Sequence, residues 1–286
     1  IGLVGSEMCI RDSIYTYYKI NIKMFNGVLK KMINEYSSEI KYYLVMENDF
    51  IFFNSVFDKN ITINFNGYSC LNCGSSEEIF RQGHCKKCFF DLPSTAEWII
   101  RPEMSKAHLG IEDRDLEYEK QVQLQPHILY LAYTSGIKIG VTRKSQVPTR
   151  WIDQGAVKAV EIIEVPNRYL AGISEIKLKE KYNDKTNWRE MLKTSTTDFD
   201  LDREKSKCLS YLPNEVLEYI SKNSTATEIK YPLIKSPDNP KSLNIIKSKK
   251  YTGKIIGIKG QYLIFDDDTV FNIRSNEGVK VSLEVD

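Results

Sequence analysis

The sequence predicts an α+β protein with a β-rich segment at each end and an α/β unit between them. Strand-like runs alternate with polar residues from Phe25 to about Phe65, and four more begin at Tyr251. An apolar hairpin and helical windows in the middle of the chain predict the α/β unit. The 286 residues suit two or three domains. We place them at residues 24–125 (β-rich, with a zinc knuckle and a linker), 126–231 (α/β) and 232–286 (a linker and a small β domain).

Residues 1–13 are set apart from the fold. The motif EMCIRDS at residues 7–13 resembles translated sequencing-adapter read-through, so we expect a non-native leader and a start at Met24. A signal peptide is the alternative, but Glu7, Arg11 and Asp12 interrupt any apolar core of such a peptide.

The charge balance excludes a strongly basic protein. There are 40 basic and 38 acidic residues, a net charge of +2, so the field of the whole molecule does not indicate nucleic-acid binding. The strongest local bias is Lys241–Gly260, with six lysines and no acid, which is typical of a solvated sheet face. No stretch is apolar enough to span a bilayer. Together with cysteines that suit a reducing compartment, this predicts a cytoplasmic protein.

Four cysteines in two close pairs predict a structural zinc site. Cys70 and Cys73 form one CxxC pair and Cys85 and Cys88 form the other, with eleven residues between the pairs. Zn²⁺ prefers four thiolates in a tetrahedron, and a filled set leaves no position for water or substrate. The open alternatives are His84 in place of one thiolate, unmetallated thiols or disulfides, and an iron–sulfur cluster.

Turn residues and periodicity predict the remaining segments. Residues 91–125 carry charges and several Pro and Gly residues with weak periodicity, which indicates a linker or an irregular layer. The strands and helices that follow are predicted at Ile128–Tyr133, Ile137–Thr142, Pro148–Asp153, Val157–Val165, Arg168–Tyr182, Thr186–Lys193, Asn214–Ser221, Tyr251–Ile258, Gln261–Phe265, Thr269–Ile273 and Val279–Val285. We expect the last four strands to form a small antiparallel sheet or barrel.

The predicted hairpin and the helices after it carry a pattern of polar residues. Tyr130 lies on the first strand, Gly140 on the second, Arg150 ten residues later and Glu175 on a later helix. This arrangement resembles the core of the GIY-YIG nucleases. The resemblance implies that these four residues surround a scissile phosphate, with Asn187 in the place of the family's late asparagine.

Two positions depart from the GIY-YIG pattern. Lys138 stands where that family has its second tyrosine, and Gln154 stands where it often has a histidine. Both departures leave an inactive nuclease-like core as an alternative to an active one.

Several segments also resemble the uncharacterised bacterial family called domain of unknown function 2797. These segments are YLA at 130–132, KIGVTR at 138–143, RWIDQGA at 150–156 and DKTNWR at 184–189. The resemblance runs from about Met24 to Val285 and includes the two cysteine pairs.

Phosphodiester hydrolysis would give these residues distinct roles. It needs a base or a positioned water, a cation for the developing charge and usually a divalent metal on a carboxylate. Tyr130, Arg150 and Glu175 suit these roles, with Mg²⁺ or Mn²⁺ at Glu175 and with Lys138 and Asn187 as further catalytic candidates. Because Glu175 shares a helix face with apolar residues, a structural ion pair with Arg150 is the alternative.

Four further residues are candidates for nucleic-acid contact. Arg143 and Lys144 follow the hairpin and can contact phosphates, and Gln154 lies close by in sequence. Trp151 can stack on a base, although a core position is its alternative.

We therefore expect a divalent-metal-dependent phosphodiesterase that acts on nucleic acid and has a structural zinc site. The alternatives are an inactive nucleic-acid-binding module with a nuclease-like core and a structural or protein-interaction protein. The choice between DNA and RNA and the oligomeric state stay open at this stage.

Overall fold

Three β-sheets are present in the residues that the structure describes. The structure is a computed structural model, and it describes residues 24–182, 186–223 and 225–286. The predicted leader at residues 1–13 lies outside the described residues, as do Asp184 and Lys185. The described strands are β1 Met24–Val28, β2 Ile33–Glu35, β3 Lys41–Val45, β4 Phe50–Phe52, β5 Asn60–Tyr68, β6 His127–Tyr133, β7 Ile137–Arg143, β8 Lys158–Val165, β9 Thr227–Glu228, β10 Lys241–Ser242, β11 Lys250–Lys259, β12 Tyr262–Phe265, β13 Thr269–Asn272 and β14 Val279–Val285.

Short helices and 3₁₀ turns connect these strands. The described α-helices are α1 Lys86–Asp91, α2 Leu116–Gln123, α3 Thr149–Asp153, α4 Arg168–Lys179, α5 Trp188–Lys193, α6 Leu201–Leu209 and α7 Ile245–Ser248. The helices and strands predicted after residue 126 are confirmed to within a few residues at their ends, with a 3₁₀ turn at Asn214–Tyr219. None of the described helices has the length and apolar character that crossing a membrane requires.

The largest sheet joins the two ends of the described chain. Its strand order is β1-β14-β5-β11-β12-β13-β10. Leu283 on β14 lies opposite Phe25 on β1 and opposite Ile63 on β5. The last four strands are present, but the prediction that they form a small sheet by themselves is wrong, because β14 pairs with both β1 and β5. Alternate β14 residues are buried in this core, as period-two burial requires.

The central sheet has the strand order β7-β6-β8-β9, and all its pairs are antiparallel. Alternate side chains of β6 enter two different cores. Ile128 and Tyr130 pack in the core that also contains Trp151, whereas Leu129 and Leu131 pack with residues of α4 and α6 on the other face. The strand is therefore buried on both faces, which explains its nearly continuous apolar run.

Part of the predicted linker at 91–125 is a packed layer over α4. A Cβ at Gly172 of α4 would lie 2.3 Å from the backbone nitrogen of Glu103, so the glycine allows the two backbones to touch. Arg168, in the first turn of α4, donates to the carbonyls of Trp98 and Ile99 at 3.1 and 2.7 Å. These contacts hold the layer against the central unit.

A buried carboxylate joins the central unit to both β-rich segments. Asp153 accepts hydrogen bonds from Lys31 Nζ at 2.6 Å, Asn34 Nδ2 at 2.9 Å and Gln261 Nε2 at 2.8 Å. The Gln261 amide also bonds the backbone of Met32 through both its oxygen and its nitrogen. Segments far apart in sequence are thus tied together, and the domain boundaries at 125 and 231 stay a prediction.

Candidate functional site

The two predicted cysteine pairs come together directly after β5. The sulfurs of Cys70, Cys73, Cys85 and Cys88 all lie within 4.8 Å of one another, and Cys73 alone is exposed. All four cysteines are free, so the structure does not show the disulfide alternative. Four sulfurs at this separation can hold a metal ion such as zinc. The Nδ1 atom of His84 lies 4.0 Å from Cys70 Sγ, which places the imidazole beside the cluster.

Glycines and a short helix shape the loop that brings the pairs together. Gly74 and Gly83 have φ angles of 72° and 77°, in the left-handed region that favours glycine. A Cβ at Gly83 would also lie 2.4 Å from Cδ1 of Leu71. Cys85 precedes the first residue of α1, and the helix carries Cys88 back to the cluster. Residues within the loop therefore determine the backbone path that brings the four sulfurs together.

Hydrogen bonds to sulfur favour a thiolate at Cys70. The Cys85 N–H donates to Cys70 Sγ, and Asn72 Nδ2 donates to Cys88 Sγ, each at 3.3 Å. Burial raises the pKa of the Cys70 thiol, but backbone N–H groups of Cys73, Cys85 and Asn72 outweigh it and lower the pKa to about 5. At Cys88 the Asn72 hydrogen bond lowers the pKa, but burial and the three neighbouring cysteines outweigh it and raise this pKa to about 12. Because a metal ligand must be a thiolate, a bound cation would have to favour the ionisation of Cys88, whereas Cys70 already favours it.

The second group of predicted residues meets around the Tyr130 hydroxyl. The Gln154 amide lies between this hydroxyl and the Arg150 guanidinium. With its oxygen towards the guanidinium, the amide accepts from Nε and Nη2 of Arg150, each at 3.1 Å, and donates to the Tyr130 hydroxyl at 2.9 Å. This orientation pairs the amide oxygen with donors and the amide nitrogen with an acceptor, so we assign it. Tyr130 is fully buried, whereas Arg150 and Gln154 are half-buried.

Charges around Tyr130 come from more than one element. Burial raises the pKa of Tyr130, the nearby Arg150 lowers it and the Glu175 carboxylate raises it, with a net upward shift. At neutral pH the hydroxyl therefore keeps its proton, so it can donate or accept a hydrogen bond but is not poised as a base. Glu175 on α4 is buried, and its Oε2 lies 3.3 Å from Lys179 Nζ.

Lys138 and Asn187 have other hydrogen-bond partners. Lys138 is buried and donates from Nζ to the Thr186 hydroxyl at 3.2 Å. The exposed Asn187 side chain caps α5 by accepting from the N–H groups of Arg189 and Glu190. None of these hydrogen bonds brings Lys138 or Asn187 to the Tyr130 hydroxyl, so their catalytic roles stay predictions.

Trp151 cannot stack on a base in this structure. Its side chain is 2% exposed and packs against Tyr130 with ring centroids 5.9 Å apart. The predicted stacking role is therefore wrong here, and the core alternative describes the residue. Lys144 is exposed and paired with Glu164 at 2.7 Å. The half-buried Arg143 side chain has no hydrogen bond or ion pair with any other described residue.

Two residues of this region were missed in the sequence. Arg168 is buried, and burial lowers its pKa to about 10 against the raising effect of Glu175. His127 is also buried; burial lowers its pKa to about 4, and its Nε2 has no hydrogen-bond partner among the described residues. Neither belongs to a recognisable motif, because each depends on contacts distant in sequence.

Glu175 does not form a divalent-metal site by itself. Within residues 24–182, 186–223 and 225–286, the cysteine cluster is the one set of three or more Cys, His, Asp or Glu side chains close enough to share an ion. Mg²⁺ keeps several waters and needs only one or two carboxylates, but Lys179 already pairs with Glu175. The Mg²⁺ or Mn²⁺ at Glu175 therefore stays a prediction that no described cluster of ligands supports.

Comparisons with known proteins bear on the family and not on the activity. No curated protein and no solved structure matches the chain. One family model, described as "Protein of unknown function (DUF2797)", matches residues 58–281, which is well over half of the 286 residues. The match spans the cysteine cluster, the central sheet and most of the C-terminal strands, in agreement with the resemblance in the sequence. The chain therefore belongs to the DUF2797 family.

Proposed function

We propose that this protein binds nucleic acid and holds a backbone phosphate beside Arg150. The observation that carries the proposal is a cluster of arginines with too few carboxylates to balance them. Burial is the main cause of the lowered pKa of Arg168; of its charged neighbours, Glu175 and Glu103 raise this pKa, and Arg143 and Arg150 lower it. Three guanidinium groups that repel one another are stabilised by an added anion, and phosphate is the anion that suits them.

Arg150 is the residue best placed for the phosphate. Its Nε and Nη2 face the Gln154 oxygen, and no described carboxylate lies within 4.0 Å of it. A guanidinium has five N–H donors, so some remain for phosphate oxygens. Because Gln154 and the buried Tyr130 orient the group, little side-chain entropy is lost when a phosphate binds.

Zinc at the four cysteines has a structural role in this proposal. Four thiolates fill a tetrahedral Zn²⁺ and leave no position for a substrate. The ion would hold the loop at residues 70–88 against the end of β5, where Ser69 N–H donates to the Gly278 carbonyl at 2.8 Å.

Phosphodiester cleavage is the second candidate function. It is favoured by one observation, the meeting of Tyr130, Arg150 and Glu175, and by the resemblance to GIY-YIG nucleases. The full burial of Tyr130 and the Lys179 ion pair of Glu175 favour binding alone.

A panel of labelled nucleic acids separates the two candidates. The purified protein is mixed with single-stranded, duplex and branched DNA and RNA, with and without Mg²⁺ or Mn²⁺, and both binding and cleavage are measured. Binding weakened by Arg150→Ala, without cleavage, is the expected result. Cleavage by the wild type that disappears in both Tyr130→Phe and Glu175→Gln would favour the nuclease over binding alone. Binding to none of the substrates would contradict both candidate functions.

A further inference from the structure

A pocket lies between the turn before β14 and the loop at residues 70–88, which we call the zinc loop. It has a volume of about 420 Å³ and is lined by residues 78–83, by residues 274–277, and by Tyr68, Ile246 and Val279. We call it the zinc-loop pocket. Its volume lies within the range of about 300–1,000 Å³ that is usual for small-molecule sites. None of the residues assigned above to the Arg150 site lines it.

Close glycine contacts preform this pocket. A Cβ at Gly278 would lie 2.7 Å from two side-chain carbons of Ile79 and 3.0 Å from the Gly83 carbonyl oxygen. The zinc loop thus rests directly on the turn, and larger side chains at Gly278 would separate them. Because the loop carries two cysteines at each of its ends, a bound zinc would stiffen one wall of the pocket.

Two arginines of the pocket are available to a ligand. The side chains of Arg81 and Arg274 make no hydrogen bond or ion pair with any described residue, and the Arg81 guanidinium carbon lies 5.4 Å from the centroid of the Phe80 ring. Both are exposed. Of the two acids in the lining, Glu277 accepts the Lys31 N–H at 3.0 Å and Glu78 is exposed. The pocket therefore offers both cationic hydrogen-bond donors and hydrogen-bond acceptors. A simple anion would use only the donors.

Exposed aromatic rings continue from the pocket onto α1. Phe80 is 42% exposed and Phe90 is 55% exposed, and their ring centroids lie 5.7 Å apart. Lys86 and Lys87 of the same helix are exposed and have no ion pair with described residues. Two exposed rings beside cations offer a surface on which a flat, anionic partner can stack.

We infer that the zinc-loop pocket and the Phe80–Phe90 rings bind unpaired nucleotides of a single-stranded nucleic acid. Phosphates face Arg81 and Arg274, a base stacks on Phe80, and the acceptors of the pocket meet the amino groups of that base. A duplex hides its base faces, so it gains only the phosphate contacts. This inference rests on the proposed function and adds to it a second contact surface and a preference for single strands.

The test uses the full zinc-loaded chain and fluorescein-labelled single-stranded oligonucleotides, with affinity read as fluorescence anisotropy. Phe80→Ala should weaken binding by about fivefold or more, since one stacked base is lost. Arg81→Ala with Arg274→Ala should lower the slope of log affinity against log salt by about 1–2. The matched control, Arg101→Ala with Arg203→Ala, removes the same charge elsewhere and should leave the affinity nearly unchanged.

A conservative variant and two folding measurements distinguish a loss of binding from a loss of folding. Phe80→Tyr keeps a ring and should bind as the wild type does, and zinc content and circular dichroism report whether Phe80→Ala folds. We call Phe80→Ala and the Arg81→Ala, Arg274→Ala double variant the zinc-loop variants. The inference is overturned if both bind as tightly as the wild type, or if the control loses as much affinity as they do. It is also overturned if an acidic peptide displaces the oligonucleotide and a nucleotide does not. If Arg150→Ala lowers the affinity for the oligonucleotide and the zinc-loop variants do not, the inference is overturned and the proposed function stands. The opposite pattern supports the inference and counts against the Arg150 site.

Discussion

The Tyr130 hydroxyl lies over Gly140 of the neighbouring strand, so closely that a Cβ at Gly140 would be 2.5 Å from the hydroxyl oxygen. The two residues are register partners in β6 and β7. The glycine is thus needed for space, because its φ is not in the left-handed region. This contact positions the hydroxyl against Gln154 and, through Gln154, fixes the Arg150 guanidinium.

A methyl group at Gly140 should disturb this arrangement. We expect Gly140→Ala to lower the free energy of unfolding by about 1–3 kcal/mol through overpacking, as measured by urea denaturation. In a Tyr130→Leu background, the same change should be less destabilising, because the contact is gone. Additive effects of the two changes would show that Gly140 does not act through Tyr130.

Removal of the bound metal should destabilise the loop at residues 70–88. We expect about one zinc ion per chain by elemental analysis, and a lower melting temperature after chelation, because ligand binding contributes to folding. Cys88→Ser should lose zinc, whereas Cys208→Ser should retain it, since Cys208 is buried in a different core. A Cys88→Ser protein with unchanged zinc content and stability would refute the four-cysteine site.

Lys259 should make stability depend on pH. Its Nζ is buried and donates to the carbonyls of Met191, at 2.7 Å, and Thr194, at the end of α5. Burial lowers its pKa from 10.5 to about 7, so between these pH values the unfolded chain binds more protons than the folded one. The free energy of unfolding should therefore rise with pH across that window.

Denaturation at several pH values tests this dependence. The rise contributed by Lys259 should disappear in Lys259→Met and persist in Lys254→Met. The Lys254 side chain is 40% exposed and pairs with Asp58 at 2.6 Å. An identical pH slope in the wild type and in Lys259→Met would contradict a lowered pKa.

Asp153 should be essential for joining the central unit to both β-rich segments. Its side chain is 2% exposed and accepts from three side chains, so Asp153→Ala leaves partly buried donors unsatisfied. We expect a loss of about 2–3 kcal/mol in the free energy of unfolding. Asp238→Ala is the control, because that carboxylate is 75% exposed and should matter by less than about 0.5 kcal/mol. Equal losses would show that the Asp153 contacts contribute little.

Local sequence patterns predicted the positions of the helices and strands better than they predicted which strands pair with each other. The cysteine pairs and the hairpin follow from spacing and alternation within a few residues, and both are present. The pairing of β14 with β1 was missed, because nothing local in either strand specifies a partner at the other end of the chain. Period-two alternation says which face is buried but not which strand lies beside it.

In the candidate site, too, contacts between residues close in sequence were predicted and contacts between distant residues were missed. Tyr130, Arg150 and Gln154 meet because the hairpin and α3 are close in sequence. Arg168 was missed, because its partners are carbonyls 70 and 69 residues away. Trp151 was assigned to base stacking because residue type alone does not reveal burial.

The salt dependence of nucleic-acid binding by Arg150→Ala is the most direct test of the proposed function. The control is Arg101→Ala, which removes an exposed guanidinium already paired with Glu97 at 2.8 Å. If Arg150 holds a phosphate, its loss should weaken binding at every salt concentration tested and lower the slope of log affinity against log salt by about 1, while the control keeps the wild-type slope. Equal slopes and affinities in the wild type, Arg150→Ala and Arg101→Ala would contradict the phosphate site.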